Sequence, residues 1–372
     1  MVKRVLALGG DGIGPEVIDA TVYILEGMGI SSLEIVREFV GEEAIKEDKP
    51  AFSEEVREQI DGSDAVIFGA TGGTASPCLH YLRWGLDNFA NVRPVKYYEG
   101  VRTPLKDPEG IDFVFVRENL EGMYACMGRE GKIEDLLNVG LISEGEFDKY
   151  GRNAFYGARV ISERGSERVG RFACELAMKR KRCGGKGKLT IIHKANVLKL
   201  QDGLFRDTIY RVVEEEFSEL EVDDYYVDNM ARMLIRYPKE FDVVVIPNMM
   251  GDILTDLSAE LVGGLGISSS GLFGGRVPYF EPIHGSAPKY AGSGVANPIA
   301  TILSSVMMLE YLGFEKEAEC LDDAVASLIL GATDPEENWR FLPRDLVSEQ
   351  VRIECGYAET MQVAEEILKE CK

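Results

Sequence analysis

The chain has 372 residues, 45% of them hydrophobic and 28% charged, with a formal net charge of −22. That length can bury a large core and suggests two domains or one large α/β body. The charge excludes a general nucleic-acid binder, because nothing offsets phosphate repulsion over the surface as a whole, and any anionic ligand needs a local basic cluster.

In chain order, Val5–Leu8 reads as a strand and Pro15–Met28 as a helix. Ala65–Phe68 is a second strand, followed by a helix containing Tyr81–Phe89, and Asp112–Val116 is a third strand. Residues 128–157, rich in Gly, Glu and Lys, break the pattern and read as a loop or arm. Ser162-Glu-Arg-Gly-Ser166 resembles the start of a helix, within a long amphipathic stretch from Arg159 to Lys181. The cluster Lys179-Arg-Lys-Arg182 complements the helix dipole and reads as a solvated helix end. Leu189–Ile192, Gly203–Phe217, Phe241–Ile246 and Asn297–Leu312 continue the alternation of strand and helix. Such alternation predicts an α/β protein with a mainly parallel sheet. With no repeat and no long linker, any two domains are joined by continuous strands.

Seven cysteines (Cys78, Cys126, Cys174, Cys183, Cys320, Cys355, Cys371) are scattered, odd in number and without a CxxC pair. That pattern favours reduced thiols in a cytoplasm over a disulfide frame or a zinc site. The run Arg4-Val-Leu-Ala-Leu8 is too short for a signal segment, and no apolar run approaches membrane-spanning length. The expectation is a cytoplasmic protein with no membrane partner.

Four groups of residues carry candidate chemistry. In residues 247–266 a buried strand runs into Gly251, read as a turn, and Asp252, read as the opening of a helix. Asp256 lies one turn on, so the two carboxylates share a face and repel unless a cation such as Mg²⁺ or Mn²⁺ sits between them. The plainer reading is an N-cap plus a solvated acid. Apolar Met249, Met250, Ile253, Leu254 and Leu257 tell against a face bathed in water.

The turn Gly10-Asp-Gly-Ile-Gly-Pro-Glu16 has proline where a dinucleotide fingerprint needs its third glycine, which argues against a standard Rossmann site. Arg83 on a helix, Arg93 near its exit and Arg117 at a strand end could grip two carboxylates bidentately, or sit in ordinary ion pairs. Each charge-assisted bond is worth roughly 1.5–3 kcal/mol. Tyr124 follows Arg117, and Lys194 and Asn196 follow another strand. A lysine at a buried strand end loses solvation, which lowers its pKa and suits it to acid–base work. His193 reads as structural. In the loop His284-Gly285-Ser286-Ala287 and on through Lys289, Tyr290 and Asn297, small residues let backbone amides approach a phosphate.

Arg83 and Arg93, Arg117 with Tyr124, Lys194, the Gly-Asp-x-x-x-Asp stretch and His-Gly-Ser-Ala-Pro occur in one order at fitting spacings. Together they resemble the β-decarboxylating dehydrogenases of isocitrate, 3-isopropylmalate, homoisocitrate and D-malate or tartrate, from Gly10 to about residue 313. The resemblance implies an isocitrate/isopropylmalate dehydrogenase-like fold and not a Rossmann fold, with two α/β domains sharing a continuous sheet. Residues 1–95 plus 262–372 are expected to form the large, cofactor-binding domain. Residues 96–261 form the small one, with the metal aspartates, catalytic Tyr and Lys, and dimer interface.

The reaction implied is metal-dependent oxidative decarboxylation of an (R)-2-hydroxy acid bearing a β-carboxylate, with hydride transfer to NAD(P). Asp252, Asp256 and a subunit partner's copy of Asp228 would hold Mg²⁺ or Mn²⁺. Lys194, also supplied across the homodimer, would take the hydroxyl proton, and Tyr124 would reprotonate the carbanion. Arg83, Arg93 and Arg117 would clamp the carboxylates, with Asn196 by the nicotinamide. A homodimer with shared active sites, possibly a higher oligomer, follows.

Lys289-Tyr290 matches bacterial NADP-linked isocitrate dehydrogenases, where NAD-linked relatives carry Asp and an aliphatic residue. NADP is therefore preferred over NAD. For the substrate, isocitrate enzymes have serine and asparagine six and four residues ahead of the first arginine, where this chain has Pro77 and Leu79. Isopropylmalate enzymes have leucines four and three ahead. Leu79 matches the first, and His80 stands where a homoisocitrate enzyme can carry arginine. An isopropylmalate- or homoisocitrate-like substrate is expected, the alternatives being D-malate/tartrate or isocitrate. A non-catalytic regulatory subunit of the family would have lost the lysine, tyrosine or aspartates, and all are present.

Overall fold

The computed structural model describes residues 2–125, 129–331, 341–354 and 356–372. Cys126, Cys355, residue 128 of the expected arm and residues 332–340 of the expected large domain lie outside the described residues. The strands are β1 (Lys3–Gly10), β2 (Leu33–Glu38), β3 (Ala65–Ala70), β4 (Ala90–Lys96), β5 (Asp112–Glu118), β6 (Glu130–Lys132), β7 (Phe155–Gly157), β8 (Lys188–His193), β9 (Glu221–Tyr226), β10 (Val243–Ile246), β11 (Ser269–Phe273) and β12 (Tyr279–Pro282).

Ten of them form one sheet in the order β2-β1-β3-β12-β11-β4-β5-β10-β8-β9. The block β2-β1-β3-β12 is parallel, as is the block β5-β10-β8-β9. Three antiparallel contacts, β12–β11, β11–β4 and β4–β5, join them, so the two blocks run in opposite directions. The continuous sheet is as expected. β1, β3 and β10 are buried along nearly their whole length, which is why they read as unbroken apolar runs rather than alternating ones.

Each block has its own apolar layers. Helices Gly14–Gly27, Ile299–Leu312, Glu315–Gly331 and Thr360–Glu370 close over one face of the first block, around Ile18, Ile24, Leu309, Val325 and Ile367. Helices Glu163–Arg182 and Gln201–Glu216 cover the second block through Val169, Ala173, Phe205 and Ile209. Ser162 caps the first of these by accepting from Gly165 N, as its sequence indicated. At its far end Arg180 is tied to Asp242 and Asp112, so the basic cluster is only partly solvated. Among the described residues no helix is long and apolar enough to cross a membrane.

Three expectations are corrected. The helix after β3 does not reach Phe89: Ser76–His80 passes into one π-turn, Tyr81–Gly85, and stops. Asn88 ends it by donating to the carbonyls of Leu82 and Val277, so Arg93 lies on strand β4 and not at a helix exit. Of the two readings of residues 129–157, loop or arm, the arm holds, with secondary structure of its own. β6 and β7 pair antiparallel, with helices Ile133–Asn138 and Glu144–Tyr150 between them. This arm leaves Val139, Leu141 and Phe155 exposed. Finally, the helix carrying both aspartates starts at Asn248, so Asp252 lies inside it rather than at its opening.

Candidate active site

Arg117 ends β5 with 1% of its surface exposed. Its Nε and Nη2 both donate to Asn248 Oδ1, at 3.0 and 2.7 Å, and Nη1 donates to Asp252 Oδ1. The helix Asn248–Leu261 can lie this close because position 251 is glycine. A Cβ there would stand 2.9 Å from both Arg117 Cγ and Ile246 Cγ2. Arg93, on β4, donates from Nη1 to Thr255 Oγ1 at 2.6 Å and approaches Asp252 at 3.5 Å and Asp256 at 3.7 Å. Tyr124 Oη donates to Asp252 Oδ2 at 2.6 Å, and its ring lies 5.3 Å from the Arg117 guanidinium. Arg83, in the turn after β3, stays within the first block, donating to Tyr279 Oη at 2.9 Å and Glu281 Oε1 at 3.0 Å on β12.

Three guanidinium groups and three carboxylates thus lie close together, Arg93 and Arg117 on Asp252 and Asp256, and Arg83 on Glu281. Burial pushes the Asp252 carboxyl up, but Arg117, Tyr124, Arg93 and Arg83 outweigh it and hold its pKa below the usual value. Burial raises Asp256, with Asp252 adding to the effect. Burial and the Arg93 charge pull Arg117 down to about 10, while Arg93 Nε is buried with no hydrogen-bond partner. A buried guanidinium N–H left without a partner favours a bound anion. The Asp252 and Asp256 side chains are 38% and 54% exposed, so two hard oxygen donors a turn apart stay open to a divalent cation, and the donor set fits Mg²⁺ or Mn²⁺.

Lys194 and Asp228 form a second group, at the end of β8 and the start of helix Val227–Arg236. Lys194 Nζ lies 2.5 Å from Asp228 Oδ1, which holds the Asp228 carboxyl below its usual range. Lys194 N donates to the buried Asp202, itself paired with Arg159. Among the described residues no three His, Cys, Asp or Glu side chains surround one point. Within one chain, then, Asp228 does not join Asp252 and Asp256. Asn196 is exposed in the loop after Lys194. His193 is fully buried, with Nε2 2.6 Å from Asp224 and Nδ1 accepting from Ala195 N, a structural arrangement. Of the apolar residues around the aspartates, Leu254 is buried, while Met249 and Ile253 are 43% and 64% exposed; Val197 and Leu200, in the loop after Lys194, are exposed too.

The loop His284–Tyr290 follows β12 and packs on the Gly10–Gly14 turn. Ile13 N donates to Ser286 O, and a Cβ on Gly12, at φ +59°, would meet that same oxygen. Ala287 holds a left-handed backbone, Gly285 is exposed and Lys289 projects into solvent. Beside the loop lies a cavity of about 280 Å³ lined by His284, Tyr290 and Asn297, but also by Arg344, Asp345 and Arg352. His284 Nε2 is buried there without a partner, and burial lowers the ring's pKa, keeping it neutral. Arg344 stacks over Tyr290 at 5.2 Å, and Asn297 donates to Asp345 at 3.0 Å. An unpaired polar atom facing a cavity rich in cations fits an anionic coenzyme.

Arg344 and Arg352 were missed because nothing in the segment around them points to the loop after β12. The one cue was a local run of arginines, Arg340, Arg344 and Arg352, in an otherwise acidic tail. Leu79 packs against the apolar layer around Leu8 and Phe68, and exposed His80 stacks on Trp84 at 4.9 Å.

A family model described as isocitrate/isopropylmalate dehydrogenase matches residues 4–367. The 3-isopropylmalate/3-methylmalate dehydrogenase of Methanocaldococcus jannaschii is 44% identical over 90% of this chain and 94% of its own length. The isocitrate/homoisocitrate dehydrogenase of Thermus thermophilus is 41% identical over 87% of this chain and 90% of its own. The crystal structure of isocitrate dehydrogenase from Methylococcus capsulatus superposes with a TM-score of 0.82 at 31% identity, covering 100% of this chain and 99% of that one. The chain belongs to the isocitrate/isopropylmalate dehydrogenase family.

Proposed function

We propose that the chain catalyses metal-dependent oxidative decarboxylation of an (R)-2-hydroxy acid bearing a β-carboxylate, with hydride transfer to NADP. The observation that carries this reading is the convergence of Arg93, Arg117 and Tyr124 on Asp252, beside Asp256. Mg²⁺ or Mn²⁺ held by Asp252, Asp256 and a second subunit's copy of Asp228 would polarise the substrate hydroxyl and stabilise enolate charge. Lys194 takes the hydroxyl proton. Tyr124 returns a proton to the β-carbon, and burial together with its bond to Asp252 raises its pKa, so the phenol stays protonated as a donor must. Arg83, Arg93 and Arg117 hold the carboxylates.

His284 to Ala287, Asn297 and Asn196 serve the coenzyme. Lys289 and Tyr290, with Arg344 and Arg352, favour a 2′-phosphate, since Asp345 is occupied by Asn297. Leu79 and His80 select an isopropylmalate- or homoisocitrate-like tail, a reading supported by the names of the relatives. The domains divide as 1–95 plus 262–372 and 96–261. A homodimer would bring Lys194 and Asp228 of one subunit to Asp252 and Asp256 of the other and cover Met249 and Ile253. Mixing Lys194→Ala and Asp252→Asn subunits, each inactive alone, tests that sharing. Shared sites predict recovery to about a quarter of wild-type turnover, from the one intact site of each heterodimer, and no recovery contradicts it.

A further inference from the structure

Cys320 lies in the helix Glu315–Gly331, and Cys371 caps the helix Thr360–Glu370 packed beside it. Cys320 Sγ is 3.8 Å from the carbonyl oxygen of Cys371, and Cys371 Sγ is 3.8 Å from that of Cys320. This reciprocal arrangement sets the two cysteines against each other. Both are half-buried free thiols, and Cys320 lines a cavity of about 390 Å³ with Lys316, Glu319, Asp323 and Glu370, which gives a small oxidant access.

We propose that Cys320 and Cys371 are a disulfide-forming pair that closes under peroxide and braces the C-terminal segment lining the cavity beside the loop after β12. One thiol attacks hydrogen peroxide, becoming a sulfenic acid as one water leaves. The second sulfur then displaces the sulfenic oxygen as another water, forming the S–S bond. Two thiols lose two electrons and two protons, and the peroxide is reduced to two waters.

The chain between the two cysteines carries Arg344, Asp345 and Arg352 of the cavity. It also carries Thr360, whose hydroxyl lies within hydrogen-bond distance of Glu16 and of Ala296 O, while its N–H donates to Gly294 O. The cross-link therefore encloses one wall of the cavity within a single covalent loop, restricting the unfolded chain. Burial, the Cys320 neighbour and Glu370 push the Cys371 thiol up to about 12, so thiolate is scarce and closure quickens as pH rises.

The test uses the full-length reduced protein treated with hydrogen peroxide, alkylated under denaturing conditions and mapped by mass spectrometry. A single Cys320–Cys371 peptide lighter by two hydrogens is expected. It should form faster at alkaline pH, raise Tm by roughly 5 °C and be reversed by dithiothreitol. Cys320→Ser and Cys371→Ser should each abolish both bond and Tm gain, with the reduced wild type as the control for folding. Alkylated or separately over-oxidised thiols at both positions, or a bond to another cysteine, would overturn the pairing. A bond that forms with no change in Tm would overturn the bracing. Neither readout requires turnover, so this inference stands or falls apart from the proposed function.

Discussion

Replacing Arg93 with methionine separates the needs of the site from those of the fold. Arg93 is 5% exposed, with Nη1 on Thr255 and Nε unpartnered. Burial, reinforced by the nearby Arg83 charge, lowers its pKa against the pull of Asp252, so the fold gains little from this cation. In the variant, Thr255 Oγ1 keeps its bond to Asp252 O at 3.1 Å, and Asp252 keeps Arg117 and Tyr124. Stability should therefore change by about 1 kcal/mol or less, because methionine fills most of the same volume without a desolvated charge. A substrate carboxylate loses at least one charge-assisted bond worth about 1.5–3 kcal/mol, which is roughly a 10- to 150-fold fall in kcat/KM. Calorimetric Tm and steady-state kinetics on the same preparation measure both. A variant that loses several degrees of Tm but turns over normally when folded would refute the reasoning.

Lys289→Asp should lower kcat/KM for NADP by roughly 10- to 100-fold, because a carboxylate repels the 2′-phosphate, and change that for NAD little; comparable kcat/KM with NAD and NADP in the wild type would sink the coenzyme argument. Tyr124→Phe should reduce kcat by about 10²- to 10⁴-fold with KM nearly unchanged; a large rise in KM with normal kcat would assign the phenol to binding instead. Glu118 is 1% exposed, and burial pushes its carboxyl up to about 7 although Leu120 N and Glu121 N donate to it. Its folded pKa exceeds the ordinary 4.5, so the native state holds the proton more tightly, and stability falls as pH rises between those values. Glu118→Gln should therefore gain on the wild type by up to about 3 kcal/mol more at alkaline than at acidic pH in denaturant unfolding. The fixed effect of the amide cancels in that comparison, and an equal difference at both pH values would contradict it.

Those segments were legible in the sequence whose chemistry is local. β1, β3 and β10 are buried on both faces and show as apolar runs, and Ser162 shows as a cap. β9, Glu-Val-Asp-Asp-Tyr-Tyr, was invisible because it is a half-exposed edge strand with carboxylates paired to Lys188, His193 and Tyr210. β4 was hidden by Arg93-Pro94, and nothing local reveals that the arginine points at a helix from elsewhere in the chain. Gly251 was misread for a similar reason. Its glycine answers to Arg117, a tertiary neighbour, and not to a turn. The arginines, Tyr124 and both aspartates stood out as a set through their order, and the structure brings Arg93, Arg117, Tyr124, Asp252 and Asp256 together. Arg344 and Arg352 were not, since their partners lie in the loop after β12.

The central claim is an oxidation coupled to loss of a β-carboxylate at a metal held by Asp252 and Asp256. Its most direct measurement is the ratio of NADPH formed to CO₂ released from (R)-2-hydroxy acids, with 3-isopropylmalate, homoisocitrate, D-malate, tartrate and isocitrate compared in turn. The expected result is equal amounts of both products from 3-isopropylmalate or homoisocitrate, abolished by a chelator and restored by Mn²⁺. NADPH without CO₂, or no turnover of any β-carboxylated substrate, would contradict the account.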